Sequence, residues 1–172
     1  IKLPSGRGVG EPLSKVLELE NNEKIISIFS YFKGEVVLAS SDGLGFKVST
    51  EQLIASTKSG KKVLNLNNGE KAKALSVCNG NLLVVVGYNR KMLIFPINEL
   101  PEQNKGKGVI LQRYKDGFLS DIKVISEEEG ISWLMQGGRQ RLEKDISIWM
   151  GKRGAAGKLV PNGFPRPPIF SE

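Results

Sequence analysis

Gly10-Glu11-Pro12-Leu13 returns as Gly60-Lys61-Lys62-Val63, then as Gly108-Val109-Ile110-Leu111, then as Gly157-Lys158-Leu159-Val160, at spacings of 50, 48 and 49 residues. A fixed period of this length marks supersecondary units stacked side by side. Basic residues crowd every one of these turns: Arg7 before the first, Lys58, Lys61 and Lys62 at the second, Lys105 and Lys107 at the third, Lys152, Arg153 and Lys158 at the fourth. A basic turn at the same place in each unit repeats positive charge along one edge. Such an edge suits a polyanion that runs past several units in turn.

Outward from each glycine the layout repeats. A short apolar strand is expected at 17–19, 64–66 and 110–112, a second at 24–29, 72–78 and 121–125, and a third, nearly all apolar, at 35–39, 82–86 and 131–135. Short β-branched runs bounded by turn residues read as buried strands. Tight turns follow, Ser41-Asp42-Gly43, Gly87-Tyr88-Asn89-Arg90 and Gln136-Gly137-Gly138-Arg139, with the residues that hairpins need at positive φ. A fourth strand leaves each turn, at 46–48, 92–95 and 140–142, and one turn of helix is expected near 50–54 and 98–100. Four strands per unit of this size predict an all-β, propeller-like array of four-stranded blades. Residues 1–160 would form the array, with units at 13–60, 61–108 and 109–157 and with 1–12 as the end of an earlier blade. The Pro- and Gly-rich tail, 161–172, is expected to be loosely ordered. Three to four blades do not close a ring and the chain starts at Ile1, so more blades are expected upstream.

Composition narrows the chemistry. The 172 residues carry 25 Lys and Arg against 18 Asp and Glu, a net charge of +7, with one Cys and no His. Zinc sites need three or four Cys or His ligands, so no zinc site is expected, and a His-based triad and an internal disulfide are excluded. Cys78, inside Ala74-Leu75-Ser76-Val77-Cys78, reads as a small core hydrophobe, and a reducing compartment is expected. No apolar run is long enough to span a bilayer, and no signal peptide is seen. No set of acid, base, nucleophile and metal ligands converges, so neither catalytic residues nor a cofactor is assigned to this stretch.

At this point the junctions become specific. Leu3-Pro4-Ser5-Gly6-Arg7-Gly8-Val9-Gly10-Glu11-Pro12-Leu13, Ser41-Asp42-Gly43-Leu44-Gly45-Phe46 with Glu51-Gln52-Leu53, and Lys91-Met92-Leu93-Ile94-Phe95-Pro96 with Glu99-Leu100-Pro101 and Lys105-Gly106-Lys107-Gly108 resemble, in order, blade junctions of the C-terminal domain of the bacterial topoisomerase IV A subunit. The likeness runs from residue 1 to about residue 160 and thins after Tyr114. The related domain of the gyrase A subunit carries a Gln-Arg-Arg-Gly-Gly-Lys-Gly type box. The segment here most similar to it, Gln103-Asn104-Lys105-Gly106-Lys107-Gly108, lacks the paired arginines, which points to the topoisomerase IV branch.

The resemblance implies a β-pinwheel, a disc whose blades exchange strands and whose rim binds and bends duplex DNA. It implies a cytoplasmic, nucleoid-associated parent enzyme: a homodimer of the A subunit with two ATPase B subunits that uses ATP and Mg2+ for decatenation and relaxation. Arg7, Lys58, Lys61, Lys62, Lys105, Lys107, Lys152, Arg153 and Lys158 are the candidate DNA contacts, and Gly10, Gly60, Gly108 and Gly157 the structural turn glycines. Without a recognition helix or an aromatic platform, binding would not read sequence. Two alternatives stay open: a propeller-type scaffold for an acidic protein, and the equivalent gyrase domain. Arg90-Lys91, Arg139 and Arg141 at hairpin tips read equally well as plain surface charge, and Glu127-Glu128-Glu129 marks a face away from the DNA. Type II topoisomerases cut with a tyrosine that follows an arginine. Arg113-Tyr114 has that order but sits just after a blade turn with no acidic metal cluster, so it is not assigned to cleavage. Trp133 and Trp149 read as core.

Overall fold

The computed structural model describes residues 10, 12–20, 22–135 and 138–170. After one turn of helix, α1 (Leu13–Val16), come β1 (Glu35–Ser40), β2 (Leu44–Ser49), β3 (Ala72–Val77), β4 (Leu82–Gly87), β5 (Lys91–Pro96), β6 (Val109–Ile110), β7 (Leu119–Ile125), β8 (Ile131–Leu134), β9 (Gln140–Glu143) and β10 (Lys158–Leu159). Short 3-10 turns, Thr50–Leu53, Ile97–Glu99 and Ser147–Trp149, close the hairpins β1–β2, β4–β5 and β8–β9.

The strands form antiparallel sheets in the orders β3-β1-β2-β6 and β10-β5-β4-β7, with β8–β9 as a separate pair. The pairing follows one rule. A hairpin supplies the two central strands, the second strand of the next unit pairs with its first, and the first strand of the unit after that pairs with its second. Thus β1–β2 of unit 13–60 is flanked by β3 from unit 61–108 and β6 from unit 109–157. Likewise β4–β5 is flanked by β7 and β10. Each sheet therefore draws on three successive sequence units, and this exchange is the β-pinwheel.

The rule explains a difference from the sequence expectation. Segments 17–19 and 24–29 lie in no sheet, and Ile25, Ile26 and Ile28 are exposed. By the rule, 24–29 would pair with a hairpin one unit earlier and 17–19 with one two units earlier, and the described residues include neither hairpin. Leu64 makes a single parallel bridge, to Gly106, for the same reason. The N–H groups of 17–19 instead bond back into the α1 turn, Leu17 to the Leu13 carbonyl at 2.9 Å and Leu19 to that of Ser14 at 2.8 Å, and 24–29 joins no sheet among the described residues.

The core lies between the sheets, and β4 shows why its sequence is apolar throughout. Alternate residues face opposite sides of a strand. Leu83 and Val85 join Val37, Phe95 and Leu119 against the first sheet. Leu82, Val84 and Val86 join Ile131, Trp133 and Trp149 on the other side. Both tryptophans are core residues, at 1% and 6% exposure. Cys78 packs at the edge of the first cluster, where burial, then the nearby Glu35 carboxylate, pushes its thiol up to about 12. Thiolate is the reactive form. The folded chain is expected to resist alkylation at pH 8 and to be labelled at once in denaturant, as mass spectrometry can follow.

The tail corrects the second expectation. Segment 161–170 is not loose: Phe164 and Phe170 enter the cluster between the second sheet and β8–β9 at 3% and 8% exposure. The carbonyl of Gly163 accepts the Trp133 Nε1 hydrogen bond at 3.3 Å, and the Phe170 N–H donates to Asp121 Oδ2 at 2.8 Å. Proline and glycine composition reads as flexible, but two aromatic anchors outweigh it, since each buried Phe contributes roughly 1.5–3 kcal/mol. The prolines also leave fewer backbone states to be lost on ordering. The tail's two phenylalanines thus fill the space between the second sheet and β8–β9, beside Ile131 and Trp133.

Candidate nucleic-acid interface

The recurrent glycines adopt one backbone conformation: φ is +73° at Gly10, +80° at Gly60 and Gly108, and +76° at Gly157. Such values are open to glycine and costly for residues with a Cβ. Gly108 and Gly157 also sit against backbone. A Cβ there would lie 2.2 Å from the Gly45 carbonyl oxygen and 2.3 Å from that of Met92, whereas Gly60 and Gly10 face open space. Gly45 and Met92 are the equivalent second residues of β2 and β5. Each turn thus locks onto the hairpin two units back, and β6 and β10 become the outermost strands of their sheets.

The turns are also joined to one another. Asn65 N–H donates to the Gly106 carbonyl at 2.7 Å, and Gly106 N–H to Val63 at 3.0 Å. One unit later, Gly154 N–H donates to Leu111 at 2.8 Å and Arg113 N–H to Ala155 at 3.2 Å. Segments 60–65, 103–113 and 152–157 therefore form a chain of backbone contacts along the outer edges of successive sheets. Gln112, 1% exposed, pins the last step through Nε2, which donates to the Lys91 and Ala156 carbonyls at 3.2 and 2.8 Å.

Of the predicted cations, Lys61, Lys62, Lys105, Lys107, Lys152 and Arg153 lie in these segments and Lys158 directly follows the last, with different degrees of freedom. Lys61, Lys62, Lys105, Lys152 and Lys158 are exposed. Lys58 stands 4.0 Å from Glu18, with both side chains in solvent, a pair that contributes little. Lys107 is exposed but tied: its Nζ donates to Asn67 Oδ1 at 2.7 Å, and Asn67 Nδ2 donates to Asp42 Oδ2 at 2.7 Å. Arg153 is half-buried and acts as a strut. Its NH1 donates to the Ile110 carbonyl at 2.7 Å, and its N–H to Glu99 Oε2 at 3.0 Å. Arg7 lies outside the described residues. The Asn67 and Ile110 partners stand 40 and 43 residues away in sequence, so no local pattern points to them.

The acidic turn sits at the other end of the sheet. Lys158 pairs with Met92, whereas Pro96 pairs with Leu82 and Leu82 with Ile125, just before Glu127. Four residues of strand separate the two levels, about 13 Å at 3.3 Å per residue.

Tyr114 is wedged between hairpins. A Cβ on Gly43 would meet its ring at 2.6 Å, and one on Gly87 at 2.5 Å. Its hydroxyl is buried without a hydrogen-bond partner, and burial pushes the phenol well above its usual range. That environment disfavours the phenolate a nucleophile would need. Removing an unpaired buried hydroxyl spares its desolvation cost. Tyr114→Phe is therefore expected to match or exceed the wild-type urea midpoint; a loss beyond about 1 kcal/mol would reveal a missed partner.

Among the described residues no helix is long and apolar enough to cross a membrane. Residues 34–79 and 82–126 match the family model described as DNA gyrase C-terminal domain, beta-propeller. The chain is 42% identical over 170 residues to the DNA topoisomerase 4 A subunit of Rickettsia bellii, covering 98% of this chain and 23% of the relative. It is 45% identical over 164 residues to that of Caulobacter vibrioides, covering 95% of this chain and 22% of the relative. The chain thus spans under a quarter of these relatives' length. A solved structure of the E. coli ParC C-terminal domain superimposes with a TM-score of 0.76 at 24% identity, covering 93% of this chain and 69% of that one. The DNA gyrase A C-terminal domain gives 0.67 at 16% identity, covering 86% and 52%. The likeness to both solved structures is one of fold. With two successive blade segments matched to the family model and strands exchanged between sheets, the chain belongs to the DNA gyrase C-terminal domain family of β-propellers, and over nearly its whole length it is similar to the A subunit of topoisomerase IV.

Proposed function

We propose that this domain binds and bends duplex DNA along its basic rim without reading sequence, as the C-terminal domain of a topoisomerase IV A subunit. One observation carries the reading: the basic glycine turns are linked by backbone hydrogen bonds into one edge across successive sheets. Lysine side chains there neutralise phosphates, while the glycines let the backbone come close. Contacts at the turns of successive blades would bend a duplex that follows them, and the additional phosphate interactions this permits would offset the elastic cost. In the parent enzyme the domain would orient the passing segment for decatenation and relaxation. That enzyme would be a homodimer of the A subunit with two ATPase B subunits, using ATP and Mg2+ in a nucleoid-associated, cytoplasmic setting.

The test is fluorescence anisotropy on two unrelated duplexes across a salt series. Wild-type affinity should fall linearly in log salt. Lys61→Ala with Lys62→Ala should weaken binding equally on both duplexes and lower the slope by about two units, roughly one for each phosphate left unneutralised. The fold should be untouched, because exposed loop charges contribute little to stability. Glu127→Ala with Glu128→Ala should not weaken binding. An unchanged affinity and slope for the lysine pair would take those residues off the DNA path, and the same null at the other turns would leave the protein-scaffold reading.

A further inference from the structure

We propose that Arg90 and Arg166 form a phosphate-binding site at the carboxy-terminal end of the rim, occupied by a backbone phosphate of the same duplex. The proposal rests on the DNA-binding reading and extends it to residues that reading did not include.

Arg90 lies at the tip of the β4–β5 hairpin with φ of +61°, a conformation that residues other than glycine rarely adopt. Its guanidinium reaches across to the tail. NH1 donates to the Pro165 carbonyl at 2.8 Å and NH2 to the Phe164 carbonyl at 3.2 Å. Those contacts use two of the five N–H donors of the group. They also fix the next residue, Arg166, beside it. Arg166 is exposed, and no hydrogen bond or acidic partner holds its side chain among the described residues.

Among the described residues, those lining the groove around these charges include no carboxylate. The groove, of about 810 Å³, is lined by Arg90, residues 134–135 and residues 159–166. The guanidinium of Arg90 is held below its ordinary pKa by burial and by the Arg166 charge. Two guanidiniums that line one groove repel one another, and an anion bound between them reverses the sign of that interaction. The planar fork of arginine matches phosphate oxygens.

Position selects the anion. Val160 N–H donates to the Arg90 carbonyl at 2.9 Å, and Leu159 pairs with Lys91. The pair therefore lies directly beyond Lys158, the last cation of the rim, and a duplex following that edge reaches it next. The tail that supplies Arg166 also carries Phe164 and Phe170 into the core beside β8–β9, so core packing and extension of the charged edge fall to the same ten residues.

The experiment uses the whole chain and the same two duplexes between about 50 and 200 mM salt. Arg166→Glu alters an exposed, unpaired side chain, and unchanged tryptophan emission would verify the fold. Its affinity is expected to fall by about fivefold to tenfold on both duplexes, with the salt slope lower by about one. Lys144→Glu, the same charge change beside the acidic turn, is expected to have less than half of that effect on log affinity. Unchanged binding by Arg166→Glu, alongside weakened binding by the Lys61 and Lys62 double variant, would overturn this site and leave the rim reading standing. An equal loss from Lys144→Glu would reduce the effect to net charge and overturn it too. Failure of the wild type to bind either duplex at low salt would remove the DNA reading itself, and the site with it.

Discussion

Gly157→Ala is expected to lower stability by about 3 kcal/mol or more, and Gly60→Ala by only about 1–2 kcal/mol, although the two residues have nearly the same φ. The backbone penalty is shared: at +76° and +80° a Cβ meets the adjoining carbonyl. The packing penalty is not. At Gly60 a methyl group would enter open space, while at Gly157 it would lie 2.3 Å from the Met92 carbonyl oxygen and 2.7 Å from Gln112 Nε2. Neither neighbour can give way cheaply. The Met92 oxygen belongs to a strand bonded on both sides, and Gln112 Nε2 already bridges the Lys91 and Ala156 carbonyls. Urea midpoints at constant m would measure the difference. Equal shifts at the two positions would mean that the turn does not lock onto the hairpin two units back. The contrast also tests the topology, because Gly60 is free for the same reason that segments 17–19 and 24–29 lack strand partners.

The same contrast separates what is legible in the chain from what is not. Hairpin β4–β5 can be read locally, from an apolar run, a Gly-Tyr-Asn-Arg turn and a second apolar run. The register of the glycine turns is equally plain, because a period needs no knowledge of contacts. Strand partnership is not legible, since β1 pairs with β3 and β2 with β6, and nothing within 24–29 says whether a hairpin stands ready to receive it. At the rim, the exposure of Lys61, Lys62 and Lys105 follows from their turns. The strut role of Arg153 does not, because it depends on Ile110 in another unit. Composition misleads at the tail because it averages over residues. Ten residues rich in proline and glycine look loose, yet Phe164 and Phe170 decide where they lie.

Phe164→Ala tests that last point and should be among the most costly substitutions in the chain. Phe164 is 3% exposed, with its ring 5.4 Å from that of Trp133 and 5.5 Å from that of Phe170. Truncating a buried Phe costs about 3–5 kcal/mol through lost burial and the cavity left behind. The aromatic pairs add about 0.5–1.5 kcal/mol each. The damage should also be read locally. Trp133 donates its Nε1 hydrogen bond to Gly163, and Arg90 donates to the carbonyls of Phe164 and Pro165, so releasing the tail wets the indole and frees the arginine. Trp133 emission is expected to move to longer wavelength in native buffer, before any global unfolding. Ile169→Ala, at a position 41% exposed, should shift neither emission nor midpoint by much. If Phe164→Ala instead fell within about 1 kcal/mol of wild type with unchanged emission, the tail would contribute little to the fold. The apolar face of β8–β9 would then be kept dry by the second sheet alone, through Leu82, Val84 and Val86 packed with Ile131 and Trp133.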